Sequence, residues 1–434
     1  MMVSGPRSLL ITVLVGAWVI CNGCGGGGGG SSSNSTQTVL PSGQNVLPIA
    51  VDGGPTASMP SAPVYINAAF TSVTVCIPGT SNCQTIGGVL VDTGSYGLRL
   101  LSSQGGGALT LALPVQTSGD NQLCECTKFA DGSYVWGSVR IADVKLAGET
   151  ASSIPIHVLE HNLFTIPSDC SSGGGSEEDD LQDLGANGIL GVGPFQQDCG
   201  SACVPVLGGS PPTGVYYVCS AASGCRPAFV NLSQQVQNPV GLFPVDNNGV
   251  IVKLPPVSPT EVGVKGVIVF GIGTQANNGL GSVTVLTLNQ YPNMTTFYNN
   301  QSLPYSFIDS GTNGYYFPDP AIPVCSDSNY SSYYCPPTTL HLSATNQGAN
   351  GTQSTVEFSI GNAEEMFKSP STVNYLAFSD WAGPNNLNFP SDSTTQDSSL
   401  SSFEWGLPFF YGRDVYTAIE DKDTPAGTGP YWAY

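Results

Sequence analysis

One short phrase occurs twice in the chain, more than two hundred positions apart. The first copy reads Val89-Leu90-Val91-Asp92-Thr93-Gly94-Ser95-Tyr96-Gly97-Leu98, the second Ser306-Phe307-Ile308-Asp309-Ser310-Gly311-Thr312-Asn313-Gly314-Tyr315. Each runs apolar β-formers into an Asp, a small hydroxyl residue, a Gly, a second hydroxyl residue and a further Gly five positions after the Asp. A surface turn needs the glycine but not the apolar run before the acid. An apolar strand ending in a carboxylate and a glycine turn holds that carboxylate at the rim of a core. A phrase repeated at this length points to duplicated halves, and two such halves can bring Asp92 and Asp309 face to face.

Elsewhere the apolar segments are short, β-branched and separated by Gly and Pro. Pro63-Val64-Tyr65-Ile66, Ser282-Val283-Thr284-Val285-Leu286 and Thr355-Val356-Glu357-Phe358 read as strands, and no long stretch repeats at helical period. The class is mainly β. The length of 434 residues accommodates two lobes of about 180 residues each.

The repeated Asp phrase, with three further segments, resembles the pepsin-like aspartic proteases over most of residues 62 to 434. Phe129-Ala130-Asp131-Gly132-Ser133, followed by Val139 to Leu146, is similar to that family's flap hairpin and returning strand. Gly188-Ile189-Leu190-Gly191-Val192-Gly193 is similar to the strand that crosses the first Asp loop, and Phe410 to Tyr416 to its second-lobe counterpart. The resemblance implies a bilobal double-β-barrel fold with an internal duplication, an N-terminal lobe over 62–240 and a C-terminal lobe over 241–434. It assigns catalysis to Asp92 and Asp309. Thr93 and Ser310 become the hydroxyls that lock the two loops together, and Ser95 and Thr312 donors to the outer carboxylate oxygens. Gly94 and Gly311 let backbone N–H groups approach. Phe129, Asp131, Gly132 and Tyr134 form the flap.

Two carboxyl groups about 3 Å apart cannot both ionise cheaply and so share a proton. The ionised member takes a proton from a water, and the protonated member donates to a peptide carbonyl. The expected activity is therefore an acid-optimum endopeptidase acting on peptide or protein substrates as a monomer, with no cofactor and no metal. The sequence departs from the resemblance at Phe129, where the family usually carries a tyrosine bonded to a tryptophan; Tyr134 and Trp136 stand nearby. The alternative is a binding module that keeps the fold without turnover.

Residues 1–24 lie outside that fold. Arg7, the apolar run Ser8 to Ile20 and Gly23-Cys24 read as a bacterial lipoprotein signal, with Cys24 acylated. Residues 25–61, opening on Gly25 to Gly30, read as a Gly/Ser-rich tether. The expected location is the cell envelope, on the outer membrane where the host has one. Membrane contact would then be through the lipid alone.

An oxidising compartment agrees with the remaining cysteines, whose close spacings at 76/83, 199/203, 219/225 and 325/335 suggest disulfide staples. Cys124, Cys126 and Cys170 leave one over. The formal net charge of −20, from 31 acids against 11 bases, argues against nucleic acid and anionic lipid surfaces. His157-Val158-Leu159-Glu160-His161 matches a zinc-protease pattern that requires a helix. Its apolar, Pro-flanked setting reads as a strand, which would hold the two histidines about 13 Å apart, too far for one ion.

Overall fold

The computed structural model describes residues 40–58, 64–173, 175–368, 374–385 and 402–434. The expected signal segment and Cys24 lie outside these residues.

Strands dominate, and they build two lobes on a shared platform. In the first lobe, Phe70–Cys76 pairs with Cys83–Asp92, and Asn121–Lys128, Tyr134–Leu146 and Glu149–Leu159 form a meander beside them. In the second lobe, Met294–Tyr298, Gln301–Ile308, Leu340–Gln347 and Gln353–Ile360 pair antiparallel. Between the lobes runs a six-stranded antiparallel platform in the order Val46–Val51, Val264–Phe270, Gly249–Lys253, Asp414–Ala418, Tyr431–Ala433, Val285–Thr287. One apolar core continues through all three layers, from Val75 and Val91 through Ile268 and Val415 to Ile308 and Trp405. Among the described residues no helix is long and apolar enough to cross a membrane.

The same crossing recurs in both lobes, as a duplication requires. Gly188–Val192 lies parallel to Cys83–Asp92, with Val91 opposite Leu190, and antiparallel to Tyr96–Leu101. Glu404–Trp405 lies parallel to Gln301–Ile308, with Ile308 opposite Trp405, and antiparallel to Tyr315–Tyr316.

Two expectations are corrected. The second-lobe crossing strand is Glu404–Trp405, not Phe410 to Tyr416; Asp414–Ala418 instead pairs with Gly249–Lys253 in the platform. The apolar-apolar-Gly signature is disguised because an acid, Glu404, occupies its first position ahead of Trp405 and Gly406. The tether expected to run to residue 61 ends sooner. Val46–Val51 is a strand whose alternate residues are buried, paired along its length with Val264–Phe270.

The four close cysteine pairs are disulfides, and Cys126–Cys170 is a fifth. Cys124 is left as a buried thiol, which burial pushes up to about 12, so it is a poor nucleophile.

Candidate active site

Asp92 ends one strand of the first lobe, and Asp309 directly follows the corresponding strand of the second. Both are fully buried. The Gly94 N–H lies 2.9 Å from Asp92 Oδ1 and 3.0 Å from Asp309 Oδ1, so one backbone donor faces both inner oxygens. The two inner oxygens therefore fall within about 6 Å of each other, and a side-chain hydrogen bond joins the two carboxyl groups. A second donor, Gly311 N–H, reaches Asp309 Oδ1 at 2.7 Å.

Glycine is obligatory at both positions for a steric reason. A Cβ at Gly94 would stand 2.6 Å from Asp309 Cγ, and one at Gly311 would stand 2.7 Å from Asp92 Oδ1. Each loop thus presses its bare Cα against the carboxyl of the opposite lobe.

The hydroxyl residues divide between two tasks. Ser95 Oγ donates to Asp92 Oδ2 at 2.5 Å and Thr312 Oγ1 lies 2.8 Å from Asp309 Oδ2, holding the outer oxygens. Thr93 N–H donates to Ser310 Oγ at 3.1 Å, and Ser310 N–H to Thr93 Oγ1 at 2.9 Å. Ser310 Oγ donates in turn to the Val91 carbonyl, and Thr93 Oγ1 to that of Ile308. This two-fold lock fixes the loops against each other.

Burial pushes the Asp309 carboxyl well above the ordinary range, reinforced by the charge of Asp92, a hydrogen bond to Asp92 and the charge of Glu404. A carboxyl that keeps its proton beside another acid is the electrostatic form of a general acid paired with a base.

The residues expected to form the flap lie at the turn of the hairpin between Asn121–Lys128 and Tyr134–Leu146. Asp131 Oδ1 accepts from the Ser133 N–H and hydroxyl, while Gly132 turns at φ +91°. Phe129 is buried in an apolar cluster that also holds Leu90 and Ile189, from the paired strands Cys83–Asp92 and Gly188–Val192. Tyr134 and Trp136 pack in a different cluster with Tyr217 and the Cys126–Cys170 disulfide, so they do not restore a tyrosine–tryptophan pair at Phe129. Tyr134 instead joins the segment after Gly175, through N–H to Ser176 O and carbonyl to Glu178 N–H.

Three features escaped the reading of the sequence. Glu404 reaches Thr312 Oγ1 from the crossing strand. Asn67 spans the lobes, donating to the carbonyls of Asn313 and Phe378 and accepting from the Tyr411 hydroxyl. Behind the Asp92 loop, fully buried Arg99 bonds Glu125 at 2.9 Å, Asp198 at 3.4 Å and the Tyr96 carbonyl at 2.6 Å. An arginine in the apolar run Leu98-Arg99-Leu100-Leu101 was the available signal for the last. His157 is buried within its strand, 3.5 Å from Glu125, whereas His161 lies beyond the strand end and contacts Asp179. The two histidines serve different partners.

The family model described as "Protein of unknown function (DUF3443)" matches residues 41–434. No curated protein matches the chain. Among solved structures, the aspartic proteinase from Irpex lacteus is similar over 89% of this chain and 96% of that one, at 16% identity and a TM-score of 0.47.

Proposed function

We propose an aspartic endopeptidase activity for this chain, which belongs to the DUF3443 family. The observation that carries the reading is the Gly94 N–H aimed at both inner carboxylate oxygens, with a hydroxyl on each outer one. A water held between Asp92 and Asp309 would lose a proton to the ionised member and attack a peptide carbonyl. The protonated member donates to the carbonyl oxygen, giving a tetrahedral diol without a covalent intermediate. The raised Asp309 supports Asp309 as the proton donor and Asp92 as the base in the resting site.

The test is cleavage of a denatured protein across about pH 3 to 7, with and without a statine-type inhibitor and a chelator. Cleavage that is acid-optimal, inhibitor-sensitive, chelator-insensitive and absent in Asp92→Asn and Asp309→Asn supports the reading. A folded chain that cleaves nothing would sink it and favour a binding module on the same fold.

Anchoring of the enzyme to a bacterial envelope through acylated Cys24 is part of the proposal. It rests on the Ser8 to Ile20 apolar run, Gly23-Cys24 and the glycine tract that follows. Cys24→Ala should release the protein from membranes into the soluble fraction; unchanged membrane association would refute the anchor.

A further inference from the structure

Ser95 and Thr312 occupy matching places in the two lobes, but Thr312 has a neighbour of a different kind. On the crossing strands, Ile189 stands opposite Leu90 in the first lobe, and Glu404 stands opposite Phe307 in the second. An acid therefore fills a position that is apolar in the sister lobe. Strand alternation sends Phe403 and Trp405 to one side, where they stack at 4.0 Å within an aromatic cluster, and Glu404 to the other. There, fully buried, Glu404 Oε1 is hydrogen-bonded to Thr312 Oγ1. Gly406 lets the strand come this close, since a Cβ there would stand 2.6 Å from the Thr312 carbonyl.

Thr312 Oγ1 thus lies between Asp309 Oδ2, at 2.8 Å, and Glu404 Oε1. Two oxygen–oxygen contacts of this kind need a hydrogen each, and the hydroxyl brings one. The other comes from a carboxyl. If Glu404 donates to Thr312, Thr312 donates to Asp309 and favours its anion. If Asp309 donates to Thr312, Thr312 donates to Glu404, and Asp309 is held as the acid.

We propose that Glu404 is a positioning residue of the carboxylate pair, acting through the shared Thr312 hydroxyl to set the direction of the hydrogen-bond chain and the proton affinity of Asp309. Its consequence for turnover rests on the endopeptidase reading. The raised Asp309, to which the Glu404 charge contributes after burial and Asp92, agrees with it. Among the described residues, Tyr96 feels Asp92 and Asp309, and Tyr316 feels Glu404; both phenols are pushed upward, chiefly by burial, and stay neutral.

The test reads Asp309 directly. Carboxyl-13C aspartate is incorporated into the full chain, the Asp309 resonance is assigned with Asp309→Asn, and its titration is followed by NMR. In Glu404→Gln, whose side-chain N–H donates to Thr312 Oγ1 and so turns the Thr312 hydroxyl toward Asp309, the Asp309 midpoint should fall by roughly one pH unit, the scale of one added hydrogen bond to the charged form. The alkaline limb of peptide cleavage should move down with it. Glu404→Leu, which copies Ile189, should shift the midpoint in the same direction and serves if the Gln variant fails to fold. In a Thr312→Val background the Glu404→Gln shift should shrink by at least half. An unmoved midpoint in folded Glu404 variants, or a shift undiminished without the hydroxyl, overturns the proposal. Wild type that cleaves no peptide but shows the shifts defeats the endopeptidase reading and leaves the role of Glu404 standing.

Discussion

Thr93 and Ser310 each donate a backbone N–H to the other's hydroxyl, at 3.1 and 2.9 Å, across the junction of the two lobes. Neither loop satisfies these buried donors by itself, so the lobes are joined at the point where the two acids meet. Thr93→Val keeps the shape of the side chain but strands the Ser310 N–H. It should cost about 1–3 kcal/mol, the penalty of one buried unsatisfied group. Ser310→Ala should cost a similar amount. Because both changes break one network, the double variant should lose less than the two single losses combined. Urea unfolding of the four proteins measures the coupling, and additive losses would show that the lock does not act as a unit.

The Asp309 carboxyl, raised chiefly by burial and then by Asp92 and Glu404, makes stability depend on pH in a definite direction. Its folded value lies above the unfolded one, so the folded chain holds the proton while the unfolded chain has lost it. The stabilisation is complete below the unfolded value, near pH 4, and is lost as pH rises through the folded value. Asp309→Asn cannot titrate and should lose less stability between pH 4 and pH 8 than wild type. Denaturant unfolding at the two pH values tests this. An identical loss in both proteins would mean that Asp309 is not held protonated.

The acids and their hydroxyl partners were legible because the loop chemistry is local. Asp, hydroxyl, Gly, hydroxyl is a backbone turn written in consecutive residues, and Gly94 and Gly311 are dictated by close approach that no other residue tolerates. The crossing strand of the first lobe was equally readable, as Ile189-Leu190-Gly191 is apolar throughout. Its second-lobe counterpart was not, because Glu404 derives its place from Thr312, ninety-two residues earlier in the chain. Val46–Val51 was hidden for a similar reason: its partner, Val264–Phe270, is remote, and the flanking Gly, Ser and Pro mimic a linker.

The hairpin of Asn121–Lys128 and Tyr134–Leu146 carries an acidic strap. Tyr134 pairs through its backbone with Ser176 and Glu178, and between them burial pushes the Glu177 carboxyl up to about 7, helped by Asp179 and opposed by His161. A raised carboxyl is bound to its proton more tightly in the folded state, so stability falls as pH climbs from the unfolded value, near 4.5, through about 7. Glu177→Gln should therefore match wild type at pH 4 and exceed it at pH 8. The group is half exposed, so solvent screening limits the gain to about 1 kcal/mol or less. Hydrogen exchange at the Tyr134 and Glu178 amides should slow in the variant at pH 8 and be unchanged at pH 4. Equal exchange at both pH values would exclude the strap as a pH-sensitive contact.

Arg99 gives the largest expected loss of stability. Its guanidinium is fully buried and meets Glu125, Asp198, the Thr127 hydroxyl and the Tyr96 carbonyl, tying Tyr96–Leu101, the strand that leaves the Asp92 loop, to Asn121–Lys128. Burial alone would raise Glu125, but His157, Arg99 and the hydrogen bonds of Asp198 and Thr127 outweigh it and hold that carboxyl at about 2. Burial and the Glu125 charge push Asp198 the opposite way, so a single buried anion faces the arginine. Arg99→Met fills much of the same volume but strands that anion, and the loss should be about 3–5 kcal/mol at pH 7. A depressed carboxyl contributes stability that is present above its unfolded value, near pH 4.5, and disappears as pH falls through about 2. The deficit of the variant should accordingly narrow between pH 5 and pH 3, where its Glu125 can take up a proton. Pairing Arg99→Met with Glu125→Gln should recover much of the loss at pH 7, since both charges then leave together. Urea unfolding at pH 3, 5 and 7 decides the matter: a deficit independent of pH, with no recovery in the double variant, would show that Arg99 stabilises the fold by packing alone.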